Sequence, residues 1–207
     1  MMFNSKLDRA DDFMDLWCDF APEGLDGLTI NNGRLMKYLV DGGFFTAPAS
    51  TKYHGAYEGG LYDHSRAVFN RLADLTKDNS LTWQRDISPF IVGFFHDLCK
   101  CDQYKVKDDV RELIEKYPDM ASDIKIEYEY NTNTLLKGHG SKSVMILSQF
   151  ITLTEEEMLC IRYHMGAYGN EQDQKEEWAG FDLACKKYEN VLYAHLADQL
   201  ASKVDGV

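Results

Sequence analysis

The sequence predicts a mostly α-helical domain that carries one small β-hairpin. Three observations lead there. Apolar residues recur at helical spacing through most of the chain, and helix start and stop signals bracket those stretches. Strict apolar–polar alternation is confined to IKIEYEY, from Ile124 to Tyr130. The length, 207 residues, suits one domain with an ample core.

The elements follow in order. Lys6–Phe20 places Leu7, Phe13, Leu16, Trp17 and Phe20 at roughly helical spacing. Gly24–Gly33 reads as a loop and Arg34–Val40 as a short helix, which Asp41-Gly42-Gly43 ends with residues tolerant of positive φ. Phe44–Gly60, rich in Gly, Ala, Ser and Pro, reads as irregular. A helix over about Leu61–Leu75 puts Leu61, His64, Val68, Leu72 and Leu75 on one stripe. Ser88-Pro89 opens the next helix, with Ser as N-cap and Pro first in the helix. That helix carries Ile91, Phe94, Phe95 and Leu98 on one face and includes His96-Asp97. The alternating segment and the turn residues Asn131–Thr134 place the hairpin near residues 124–136. Thr154-x-x-Glu157 is a capping box whose helix ends near Met165-Gly166. One last long helix is predicted over about Phe181–Lys203.

Charge narrows the function. With 22 Lys and Arg against 34 Asp and Glu, the net charge of −12 disfavours a long nucleic acid and an anionic membrane surface. A small anionic substrate held through metal fits better. The N-terminus MMFNSKLDRADDF lacks a signal-peptide pattern, and the best apolar run, Pro89–Phe95, is too short to span a membrane. A cytoplasmic location is expected. The five cysteines are odd in number and irregularly spaced, which reads as free thiols, and Cys99-x-Cys101 has no second pair to complete a structural zinc site. Aromatic content of 13% leaves material for a homo-oligomer interface.

The chemistry concentrates at histidines. His96 and Asp97 can reach one metal only if the backbone presents them at a helix end or bend; a helix-terminal His can also serve the dipole. His64 lies on an inward stripe, where a core hydrogen bond or a metal would satisfy it. Asp198 and His195 are three apart among Val191, Leu192 and Leu196, so the buried carboxylate pairs with a cation or with His195 itself. His139 sits between Gly138 and Gly140 ahead of an amphipathic helix, and His164 falls near the end of the capped helix.

In that order, GGLYDHS, FFHDLCK, GHGSKS, IRYHMG and HLADQLAS resemble the successive motifs of the HD-domain superfamily of metal-dependent phosphohydrolases. The resemblance covers about Tyr53–Ser202. It implies an HD-domain helical bundle over residues 53–207, with residues 1–52 as an N-terminal helical extension packed on the same domain. It further implies that His64, His96, Asp97 and Asp198 hold one divalent transition metal. His139 and His164 match the two-metal branch, in which Asp97 bridges both ions. The mixed nitrogen and oxygen set accepts Fe, Mn, Zn, Co or Ni.

The implied reaction is hydrolysis of a phosphate ester by a metal-bridging hydroxide, with Asp97 and Lys100 as catalytic residues. Lys100, in the HDxxK match, would contact phosphate, and His54 in KYHGAYEGG would contact substrate. Arg66 and Lys142 are further phosphate-binding candidates because they lie close in sequence to the expected ligands. KYHGAYEGGLYDH also resembles HD-domain 3′→5′ exoribonucleases, which typically carry a separate nucleic-acid-binding domain. This acidic chain points instead to a nucleotide or another small phosphate ester. Two other readings share the ligands: a mixed-valent di-iron oxygenase of HD type, and a non-catalytic metal- or nucleotide-binding module.

Overall fold

A computed structural model of the chain describes residues 5–20, 32–168 and 174–207. The fold is mostly helical with one small two-stranded antiparallel sheet. The expected loop at Gly24–Gly33 lies outside the described residues except for its last two positions, which begin a helix.

Helix α1 (Lys6–Phe20) forms as its spacing predicts, burying Phe13 and Trp17. Phe13 touches the rings of Phe44, Phe45, Phe90, Phe94 and Phe95 at centroid distances of 5.4–6.2 Å. Helix α1 is therefore part of the main core. Helix α2 (Asn32–Asp41) adds Leu35 and Leu39 to it.

Helix α3 (Gly60–Asp78) packs against α4 (Ser88–Phe95). A Cβ at Gly93 would stand 2.5 Å from Phe69 Cα, so only glycine lets the two backbones approach this closely. This approach brings His64 on α3 beside His96. Ser88 departs from its expected role: it makes no cap hydrogen bond, and its hydroxyl donates to Glu157 Oε1 at 2.7 Å. The buried Glu157 outcompetes the backbone for that donor. Helix α4 stops at Phe95, and Asp97 leaves helical geometry (φ −105°, ψ 19°). His96-Asp97 thus sits at the helix end that shared ligation requires.

The sheet pairs β1 (Tyr104–Val106) with β2 (Tyr128–Tyr130), Tyr104 opposite Tyr130 and Val106 opposite Tyr128. The predicted strand is present in its last three residues. Its partner lies upstream, across helix α5 (Asp108–Lys116), rather than beyond the turn residues 131–134. Asn131 closes the ladder instead, its N–H donating to the Gln103 carbonyl and its side chain to that of Asp102.

Helix α6 (Gly140–Leu147) begins against the end of α7 (Glu155–Arg162), where a Cβ on Gly140 would meet the Arg162 carbonyl at 2.4 Å. The capping box is present: Thr154 Oγ1 accepts from Glu157 N–H, and Glu157 Oε2 from Thr154 N–H. The predicted last helix is two, α8 (Gln174–Lys187) and α9 (Asn190–Leu200). The break follows from Asn190, buried and donating to the Thr82 carbonyl and Glu156 Oε1, both at 2.8 Å. A wider π turn, Ala201–Asp205, follows α9. All five cysteines are free thiols. Among the described residues no helix is long and apolar enough to cross a membrane.

Glu157 is fully buried and also accepts from Arg85 Nε at 3.1 Å. Glu157→Ala should cost about 3–5 kcal/mol, since it strands a cation and a hydroxyl, whereas Thr154→Ala should cost about 1 kcal/mol. Urea denaturation compares them; equal losses would mean that Glu157 acts only as a capping residue. Phe13→Ala should cost about 3–5 kcal/mol in the same assay if α1 belongs to the core.

Candidate metal centre

Five helices deliver their ends or faces to one buried point. His64 comes from the first turns of α3, His96 and Asp97 from the end of α4, and His139 from the residue before α6. His164 comes just after α7 and Asp198 from α9. All but His139 are almost fully buried.

Asp97 is the centre. Its Oδ2 lies 3.6 Å from His64 Nε2, 3.4 Å from His96 Nε2 and 2.6 Å from Lys100 Nζ. Its Oδ1 faces His139 Nε2 at 3.0 Å and His164 Nε2 at 3.3 Å. Asp198 Oδ1 closes the first group, 3.1 Å from His64 Nε2 and 4.0 Å from His96 Nε2. One carboxylate therefore turns one oxygen to each of two sets of imidazoles.

The other nitrogen of each ring fixes what faces inward. His96 Nδ1 lies 2.8 Å from the Gly93 carbonyl, His164 Nδ1 2.8 Å from the Ile161 carbonyl, and His64 Nδ1 2.9 Å from the Val207 carbonyl. A carbonyl only accepts, so Nδ1 carries the proton and a neutral ring turns its Nε2 lone pair to the centre. His139 Nδ1 meets Cys99 Sγ at 3.3 Å. Burial and the Asp97 charge push that thiol up to about 12, so it stays protonated beside the ring.

The lone pairs of His64, His96 and His164 converge on carboxylate oxygens and on one another, with His64 Nε2 and His96 Nε2 only 3.3 Å apart. Asp97 Oδ1 and His164 Nε2 are buried without an aligned hydrogen bond. Acceptors facing acceptors repel unless a cation lies between them. Ligand atoms bound at about 2.1 Å around one ion stand roughly 3.0–3.4 Å apart, which matches most of the separations above. The residues fit divalent metal, and the arrangement could hold one or two ions.

The local charges agree. Burial alone would raise the Asp97 carboxyl, but Lys100 and the imidazoles of His96 and His139 outweigh it and hold it well below the usual range. Burial opposes ionisation of Asp198 too, and His64, His164 and His96 hold it low. Both carboxylates are ionised at neutral pH.

The other candidates separate. His54 stands with its ring 4.9 Å from that of His64, and Lys100 lines the same cavity above the centre. Arg66 is not at the site: its Nε donates to Asp12 at 3.0 Å and its guanidinium lies over Phe69. Lys142 is buried against Asp102 and lines a different cavity. Closeness in sequence misled in both cases: Arg66, two positions from His64 on α3, leaves that helix on another face, and Lys142, on α6 while His139 precedes it, turns to Asp102. His195 does not pair with Asp198; its Nδ1 lies 2.6 Å from the His164 carbonyl. The sequence reading missed Cys99 and the three carbonyl acceptors. Gly93 and Ile161 lie three residues before their histidines in a last helical turn, where carbonyls are free, so that spacing was a usable signal.

Comparison with protein-family models, with curated proteins and with solved structures returns no match.

Manganese or cobalt at 100 times its dissociation constant should stabilise the protein by about 2.7 kcal/mol. Thermal unfolding with and without a chelator reads this shift, and Asp97→Ala should abolish it. An unchanged midpoint in the wild-type protein at saturating metal would contradict the centre.

Proposed function

We propose that the chain is a metal-dependent enzyme of the HD phosphohydrolase type, which hydrolyses a phosphate ester of a small molecule, a mononucleotide above all. The observation that carries this reading is the position of Asp97, between two sets of imidazoles beneath a cavity of about 540 Å³. Despite the overall charge of −12, that cavity's ionic lining is Lys100, Lys203 and Asp198. A locally cationic pocket in an acidic chain suits a small anion.

Bound divalent ions would supply a water of lowered pKa and stabilise charge on phosphoryl oxygens. The chain's own groups do the rest. Burial would discharge Lys100, but Asp97 outweighs it and raises the ammonium pKa, so the side chain presents a fixed positive charge on the cavity wall. There it can hold a phosphoryl oxygen. Burial, with His64 and Lys100 nearby, pushes His54 down to about 4. Its neutral ring therefore offers a hydrogen bond and no charge. Tyr104 and Tyr130, paired across the sheet with ring centroids 5.2 Å apart, line the cavity with Tyr53. Their flat faces suit a nucleobase.

The test is release of inorganic phosphate from nucleoside monophosphates and simpler esters under manganese, cobalt, nickel and iron. Lys100→Ala should lower kcat about 10²–10³-fold, the cost of losing one stabilising donor. Tyr130→Ala should raise KM for nucleotides with little change in kcat, by roughly 5–100-fold if the base stacks there. Absence of ester turnover under every metal, with oxygen consumption by the iron-loaded protein, would replace this reading with the oxygenase.

A further inference from the structure

We propose that the C-terminal turn is a positioning device for the metal centre, with Asp205 and Arg71 as its anchor. The inference rests on the metal centre and not on the phosphohydrolase reading.

The reason begins with helix polarity. His96 and His164 lie at helix C-termini, where free carbonyls of the last turn accept their Nδ1 protons. His64 has no such neighbour. It is the fifth residue of α3, near the N-terminus, where the carbonyls are engaged within the helix and the groups left without an intrahelical partner are N–H donors, which cannot accept. Its Nδ1 needs an acceptor from another part of the chain, and the Val207 carbonyl provides it at 2.9 Å.

That carbonyl is placed by a defined turn. Asp198 leads through α9 into the π turn Ala201–Asp205. Gly206 then reverses the chain in the left-handed region (φ 76°), and the N–H groups of Gly206 and Val207 both donate to the Ala201 carbonyl. Arg71 grips the turn through both carboxylate oxygens of Asp205, its Nε at 2.8 Å from Oδ2. Arg71 lies seven residues, two helical turns, beyond His64 on α3, so both face the same turn. The pair thus ties the turn that follows α9, the helix of Asp198, to α3, the helix of His64, and so holds the Val207 acceptor against the His64 ring. Fixing Nδ1–H keeps the His64 Nε2 lone pair on the metal.

The pair is partly exposed, with side-chain exposures of 36% for Arg71 and 28% for Asp205. Such a pair contributes little to global stability, so its removal should reveal positioning rather than unfolding. The probe is cobalt(II), titrated into the metal-free full chain and followed by its visible absorption. Asp205→Arg should weaken cobalt binding about 10–100-fold, the range for losing an outer partner of a ligand histidine. The charge-swapped double variant, Arg71→Asp with Asp205→Arg, should recover most of that loss. Gly206→Val, which a β-branched residue makes unfavourable at positive φ, should weaken binding without touching the ion pair.

A second readout needs no metal. Nitrogen-15 NMR of the His64 ring should show Nδ1–H in the wild-type protein and a mixture of tautomers in Asp205→Arg and Gly206→Val. Wild-type affinity and tautomer in both variants would overturn the proposal. No cobalt binding by the wild-type protein, with the His64 tautomer still shifted in the variants, would overturn the metal centre and leave the turn's control of His64 standing.

Discussion

The structure is organised around one ionised carboxylate, Asp97, held out of water between four imidazoles and a lysine. Burying such a charge is expensive unless partners surround it, and each neighbouring helix contributes one. Two close backbone approaches make the gathering possible. Gly93 lets α4 lie against α3, which brings His64 to His96, and Gly140 lets α6 start against the end of α7, which brings His139 to His164. The aromatic core beneath, with Phe13 of the first helix among its rings, supports the same helix pair.

Where each histidine sits on its helix decides how it is held. At helix C-termini, the free carbonyls of the last turn set the tautomer locally, as for His96 and His164. Near a helix N-terminus no such carbonyl exists, so His64 depends on a distant one. His139, outside any helix, uses the Cys99 thiol. For His64, His96 and His164 the result is that Nδ1 donates to a main-chain oxygen and the Nε2 lone pair faces inward, the orientation a metal ligand needs, while His139 turns Nε2 inward with a thiol at its Nδ1.

Most of the helices, and the six residues that gather at the candidate centre, were legible in the sequence, because each left a local mark: apolar spacing, a capping box, or a histidine beside a glycine or a carboxylate. The misses share a cause. The break between α8 and α9 depends on Asn190 reaching Thr82 and Glu156, far away in sequence. Ser88 gave up its cap for Glu157 for a similar reason. The partner strand Tyr104–Val106 has only three residues, too few for alternation to show. Arg66 and Lys142 looked plausible in one dimension, yet Asp12 and Asp102 claim them in three. The Val207 carbonyl carries no side-chain signal at all.

Anomalous X-ray scattering from manganese-loaded crystals tests the central claim most directly. It should show metal beside the Asp97 carboxylate, on the side of His64, His96 and Asp198, on the side of His139 and His164, or on both. Metal bound away from Asp97, or none at saturating manganese, would contradict the assignment of that carboxylate as the centre.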